Sequence, residues 1–196
     1  MQIYPRKLKP YGLSYDQWCI KWWRWLLSIP KFESPVIDLT GINAKLNQND
    51  SCVFFLCQTF ECSDIVPIRN ITIPRGRSVF MPLINWISTI PDDGMTDEDL
   101  VIKANKKMDA IQNIKVIING NEINLKDTDL RVIAGPFEVT LPDANILNLD
   151  AGRTRVYSDG YWMLSRPLNS AISLSTYGSC SLGLTKIGVL YNIKVE

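Results

Sequence analysis

A chain of 196 residues fits one domain, and 46% hydrophobic against 21% charged residues lets it fold around a core rather than stay disordered. Lys and Arg number 21 against 20 Asp and Glu, so the formal charge is +1, without the basic excess that nucleic-acid binding draws on. There is no histidine, which excludes Ser-His-Asp and Cys-His catalysis, imidazole metal ligands and histidine pH switches together.

The N-terminus, Met1 to Pro10, is polar and carries Arg6, Lys7 and Lys9. No apolar stretch of signal-peptide length follows, so the chain is expected inside a cell or in a particle assembled there. The longest apolar runs, such as Cys52 to Cys57, are too short to span a bilayer, and no transmembrane segment is expected. The first helix is predicted over residues 14–29: Ser14 caps it, Gln17 sits at the reciprocal capping-box position and Pro30 stops it. Short strands follow at Val53 to Phe60, Ile71 to Ile73 and Val79 to Trp86, with Pro82 marking an edge or a bulge. A second helix is predicted over about 97–111, with Thr96 before it, Asp97, Glu98 and Asp99 in its first turn, and Leu100, Ala104, Met108 and Ile111 facing inward.

Beyond it, Asn119-Gly120-Asn121 joins Lys115–Ile118 to Glu122–Leu125 as a hairpin. Leu130–Ile133 and Phe137–Leu141 are separated by Gly135-Pro136, and Ser158-Asp159-Gly160 reads as a second hairpin turn between Thr154–Tyr157 and Tyr161–Leu164. Ala171–Tyr177 and Thr185–Val195 complete the set. The expected fold is mainly β with two helices: a single antiparallel β-sandwich domain over residues 1–196, with a jelly roll among its candidate topologies.

The first helix is the most unusual segment. At about 100° per residue, Trp18, Trp22, Trp25, Leu26 and Ile29 share one apolar stripe, while Ile20, Trp23 and Leu27 form a second beside it. One reading sinks the helix deeply, between strands and a loop such as Phe32 to Leu39. The other gives Trp23, Ile20 and Leu27 to a second subunit or a ligand, since aromatic anchors carry much of the energy of interfaces.

Motifs with chemical content each have a plainer reading beside them. Pro74-Arg75-Gly76-Arg77 lacks the spacing of a phosphate-cradling loop and fits a strand-connecting turn. Asp92-Asp93-Gly94 with Asp97, Glu98 and Asp99 does not match a calcium loop, and acids at a helix start have their own electrostatic reason. Asp127, Asp129, Asp143 and Asp150 show no acid/base spacing. Tyr157, Tyr161 and Trp162 are candidates for a stacking platform under a sugar or base, against ordinary cross-strand packing. Cys19, Cys52, Cys57, Cys62 and Cys180 are read mainly as buried thiols, with a disulfide through Cys62 or Cys180 as the alternative. No spacing calls for a cofactor or a metal.

Tyr11-Gly12, Ser14-Tyr15, Trp18, Trp22-Trp23, Trp25 and Ser28-Ile29-Pro30 resemble the opening of an uncharacterised family of bacterial and archaeal β-rich proteins, many of them secreted. The likeness continues at Thr59-Phe60, Ile73-Pro74, Gly76, Phe80, Pro82, Ile84-Asn85, Asp159-Gly160-Tyr161-Trp162, Pro167-Leu168 and Gly188 to Val195. It implies an extracellular setting and transfers no catalytic residue.

The residues therefore predict a non-enzymatic structural or interaction protein that self-associates or joins other subunits in a virion, filament or other particle. A carbohydrate- or small-ligand-binding sandwich is the first alternative, and a carboxylate-dependent hydrolase the second.

Overall fold

The computed structural model describes residues 1–60, 65–125, 129–180 and 187–196. Local signals place both helices. In α1 (Tyr15–Leu27), Gln17 Oε1 accepts from the Ser14 N–H at 3.0 Å, closing the expected capping box. The helix ends two residues before Ile29, where the Ser28 hydroxyl donates to the Trp25 carbonyl at 2.8 Å. In α2 (Asp97–Asp109), Thr96 Oγ1 accepts from Asp99 N–H at 3.2 Å and Asp99 Oδ2 accepts from Thr96 N–H at 3.0 Å. Leu100, Ala104 and Met108 are its buried stripe; Ile111 opens the next strand instead of continuing the helix.

The strands form two sheets. In the first, β1 (Val53–Phe55), β3 (Ser78–Thr89), β7 (Gly152–Leu164) and β6 (Arg131–Leu141) lie side by side in that order. The second runs β2 (Ile68–Ile73), β9 (Ile187–Val195), β8 (Ile172–Cys180), β4 (Ile111–Ile118) and β5 (Asn121–Glu122). Pairing is mainly antiparallel, as expected, but β1–β3 and β2–β9 are parallel pairs, one at an edge of each sheet. The Asn119-Gly120 turn forms as predicted: both residues have positive φ, and Ile118 pairs with Asn121. Pro82 marks a bulge, with the β3–β7 register shifting between Pro82 and Ile84.

Two expected breaks do not occur. Gly135-Pro136 sits inside β6 as a bulge, where the register against β7 shifts between Ala134 and Phe137. Ser158-Asp159-Gly160 is the middle of β7 and no hairpin turn: Asp159 pairs with Trp86 on one side and Ile133 on the other. Tertiary contacts override the turn chemistry here. Gly160 serves a close approach, because a Cβ there would lie 2.6 Å from Asn85 Cβ. Asp159 is fully buried and receives Arg131 from β6, with Arg131 Nε at 3.0 Å from Oδ1 and Nη2 at 2.5 Å from Oδ2. Arg131 also reaches Asp109 at the end of α2, at 2.7 Å, so one guanidinium ties together two strands and a helix. Burial pushes the Asp159 carboxyl up, against the pull of Arg131.

Three layers result. Phe54, Val79, Met81, Leu83 and Met163 of the first sheet meet Ile73, Val116, Leu174, Val189 and Ile193 of the second in one apolar core. On the first sheet's other face, Phe55, Phe80, Val132, Val139, Val156 and Trp162 pack under α1. Because alternate side chains of a strand face opposite sides, Tyr157 and Trp86 fall on the inter-sheet side, beyond the reach of the second sheet, where α2 covers them. Cys62 and Asp127, and the expected strand start at Thr185, lie outside the described residues, as does the side chain of Cys180.

Candidate functional site

The tryptophan helix sits against the first sheet with its main contacts to β6, and both apolar stripes are covered by the chain itself. Trp23 is 3% exposed and Leu27 0%, while Ile20 is half-buried and packs against the same core. Each helical indole N–H also finds an internal acceptor. Trp18 donates to Pro10 O at 3.2 Å, Trp22 to Leu56 O at 2.7 Å, Trp23 to Ser158 Oγ at 2.7 Å and Trp25 to Leu46 O at 2.8 Å. Trp22 is edge-on to Trp23, Trp25 and Trp162, and Trp162 stacks on Phe80 with centroids 5.2 Å apart. Trp23 and Leu27 therefore lack the exposure that an interface needs, and Ile20 keeps only part of it: Phe80, Val132 and Val156 of the first sheet share one core with both stripes, and Val36 and Ile146 join it.

The candidate stacking platform is not assembled, and core packing, the plainer reading of these residues, is what the structure shows. Trp162 is in the core under α1, Tyr157 lies beneath α2, and Tyr161 packs on the inter-sheet side. Of the carboxylates, Asp129 pairs with Arg6, and Asp143 and Asp150 lie on the surface. Asp97 pairs with Arg155, and Asp99 closes the α2 cap. Among the described residues no three His, Cys, Asp or Glu side chains are grouped to hold a metal ion. Arg77 of the Pro74–Arg77 turn is turned inward, donating to Val53 O at 2.9 Å and to Asp50 O. Burial pushes the Cys19 and Cys57 thiols up, away from the thiolate. For Cys57 the neighbouring Arg69 counters this only in part.

What the fold does assemble is a cavity of about 310 Å³ beside β3, lined from the α1 side of the first sheet and, through Trp86 and Ile187, from its other face. Trp22, Trp23 and Leu26 of α1 form one wall, and Asn85, Ile87 and Thr89 of β3, with Pro82, form another. Gln58, Thr59 and Phe60, continuing from β1, line a third side together with Val36, and Asp92 and Asp93 contribute two carboxyl groups. Asp92 is exposed and half-buried Asp93 accepts from Thr89 N–H at 3.0 Å, so the acids mark the solvent side.

The polar groups of this wall are incompletely paired. Gln58 is 3% exposed; its Nε2 donates to Leu83 O at 3.0 Å and also contacts Thr176 Oγ1, which fixes the amide orientation. Its Oε1 then has no partner among the described residues, and neither do Thr59 Oγ1 and Asn85 Nδ2. Each such buried group costs on the order of 1–3 kcal/mol when left unmade. A cavity and several orphaned polar atoms in one place contrast with the paired indole N–H groups of α1.

A buried arginine fastens the outer wall. Arg69 on β2 donates from Nε to Asp38 O at 2.7 Å, and from Nη2 to Val36 O at 3.2 Å. Its Nη1 reaches Cys57 O at 2.9 Å and Tyr191 Oη at 2.7 Å. The loop carrying Val36 and the strand end carrying Gln58 are thereby held to the second sheet. Sequence reading missed this, although Arg69 falls on the same face of β2 as the buried Ile71 and Ile73, where a charged residue signals an internal partner; nothing near it in the chain signals which partners.

No family model matches the chain, and no curated protein does. What the structure supports of the N-terminal resemblance is the aromatic cluster around α1. Among solved structures the chain is similar to one from the "Structure of PbICP-C in complex with falcipain-2", at 9% identity and a TM-score of 0.26, covering 74% of this chain and 99% of that one. A likeness of that size carries no conclusion about this protein.

Proposed function

We propose that the protein is a small-ligand-binding β-sandwich, which takes an organic molecule into the cavity between α1 and β3 and acts by recognition rather than catalysis. One observation carries this reading: an aromatic-walled cavity of about 310 Å³ adjoins unpartnered polar atoms on Gln58, Thr59 and Asn85. Apolar walls with a few polar groups are the usual make-up of a ligand site, and this volume is at the lower end of the usual range. A bound molecule that supplies the missing partners recovers part of what their burial costs.

The test is a ligand-observed NMR screen of small aromatic compounds and monosaccharides against the full chain. Hits are expected to change tryptophan fluorescence, through Trp22 and Trp23, and to be lost when Thr59→Phe fills the cavity. A screen with no hit, or hits that bind the Thr59→Phe protein equally well, overturns the proposal.

A second reading, a docking surface for another protein, rests on a separate feature. Ile37, Leu39, Ile42, Ile65 and Ile68 are exposed on segments running along the β2 edge, where Thr40 O accepts from Asn70 N–H at 2.8 Å. If this surface joins two copies, light scattering will show a dimer that Leu39→Lys with Ile42→Lys dissociates. A monomer at high concentration counts against self-association.

A further inference from the structure

We infer that the cavity selects an organic cation, an amine with a flat or branched apolar body, over neutral and anionic molecules of the same shape. The inference rests on the ligand-binding reading of the same cavity and adds the charge of its occupant. Three features converge on it. The carboxyl groups in the lining are Asp92 and Asp93, and no lysine or arginine lines the cavity among the described residues. Lys103 Nζ lies 3.7 Å from Asp93 Oδ1, longer than a hydrogen bond, so it offsets that charge incompletely.

Two of the unpaired atoms point the same way. Gln58 Oε1 can only accept, and Thr59 Oγ1 can accept, so an ammonium N–H suits both where a carboxylate has no donor to offer; the unpaired Asn85 Nδ2 and Trp86 Nε1 are donors and take a neutral acceptor or water. The aromatic walls complete the set, since Trp22, Trp23 and Phe60 present indole and phenyl rings that attract a cation within about 6 Å of their centroids. Trp86, also in the lining, already holds the chain's own Lys107 Nζ 4.6 Å from its ring centroid, so the rings left to a ligand are those of Trp22, Trp23 and Phe60. An anionic ligand would bring its charge towards Asp92 and Asp93 in a space partly closed to water, where like charges are costly.

The experiment compares three probes of nearly equal shape at pH 7: 2-phenylethylamine, 2-phenylethanol and phenylacetate, titrated by calorimetry and by tryptophan fluorescence. The amine is expected to bind on the order of tenfold tighter than the alcohol, and phenylacetate more weakly than either. Raising the salt concentration should narrow the gap. In Asp92→Asn with Asp93→Asn the amine's advantage over the alcohol should fall to about twofold.

Asparagine at 93 keeps an acceptor for the Thr89 N–H, and Asp92→Asn alone, on an exposed side chain, serves if the double variant fails to fold. Alcohol or phenylacetate binding as tightly as the amine overturns the charge preference and leaves cavity binding standing. If none of the three binds, the inference fails, and the broader fragment screen decides separately whether the cavity takes ligands at all.

Discussion

Trp23→Ala is expected to destabilise the chain by about 3–5 kcal/mol, a large share of the roughly 5–15 kcal/mol that holds a domain folded. The side chain is buried beside Trp22, with ring centroids 4.8 Å apart, and its N–H is bonded to Ser158, so truncation leaves both a void and an orphaned hydroxyl. Trp23→Phe keeps most of the volume and should cost about 1–2 kcal/mol, chiefly for the lost hydrogen bond and poorer packing. Urea denaturation gives both values, as shifts in midpoint at constant slope. The comparison also separates the two readings of the helix. A Trp23→Ala protein that keeps its stability and loses only a partner would restore the interface and refute the packing described above.

The second large effect concerns the buried ion pair, and it depends on pH. Arg131→Met is expected to cost about 3–5 kcal/mol at pH 7, because it leaves the Asp159 carboxylate, 0% exposed, without its cation. Asp159→Asn should cost less, about 1–2 kcal/mol, because the Arg131 side chain is 30% exposed and keeps Asp109. Burial already raises the Asp159 carboxyl above the usual carboxylate range of about 4, and removing Arg131 raises it further.

Between the unfolded and folded values the native Arg131→Met protein binds a proton that the unfolded chain releases, so its stability falls as pH rises through that window. The deficit relative to the parent should therefore shrink on acidification from pH 7 towards pH 5, by up to about 1.4 kcal/mol per pH unit within the window. Urea melts of both proteins at the two pH values measure it. A deficit that stays constant or grows on acidification would show that Asp159 does not carry the effect.

The unusual helix illustrates how far sequence reading reaches. Its start, its stop and its two apolar stripes are all written in Ser14, Gln17, Pro30 and the spacing of four tryptophans. What those stripes meet is not. Trp23 finds Ser158, 135 positions away, and that hydroxyl belongs to a segment whose own composition reads as a turn. The cavity is less legible still, since Gln58, Asn85 and Asp93 come from separate segments and none of them forms a motif. The stacking candidates fail for a related reason: Tyr157, Tyr161 and Trp162 are neighbours in sequence, but strand alternation and the placement of α2 send them to three different environments.

By itself the sequence determined the strand-rich class, both capped helices, the Asn119-Gly120 hairpin and the Pro82 irregularity, because each depends on residues within a few positions of one another. The tertiary structure alone decided that β6 and β7 run unbroken, that β1 pairs in parallel with β3 and β2 with β9, and that α1 is covered on both stripes. It also decided where an aromatic cavity remains. Those outcomes turn on long-range partners, such as Arg131 for Asp159 and Asn85 for Gly160, whose energies outweigh local turn preference and leave no trace in the neighbouring residues.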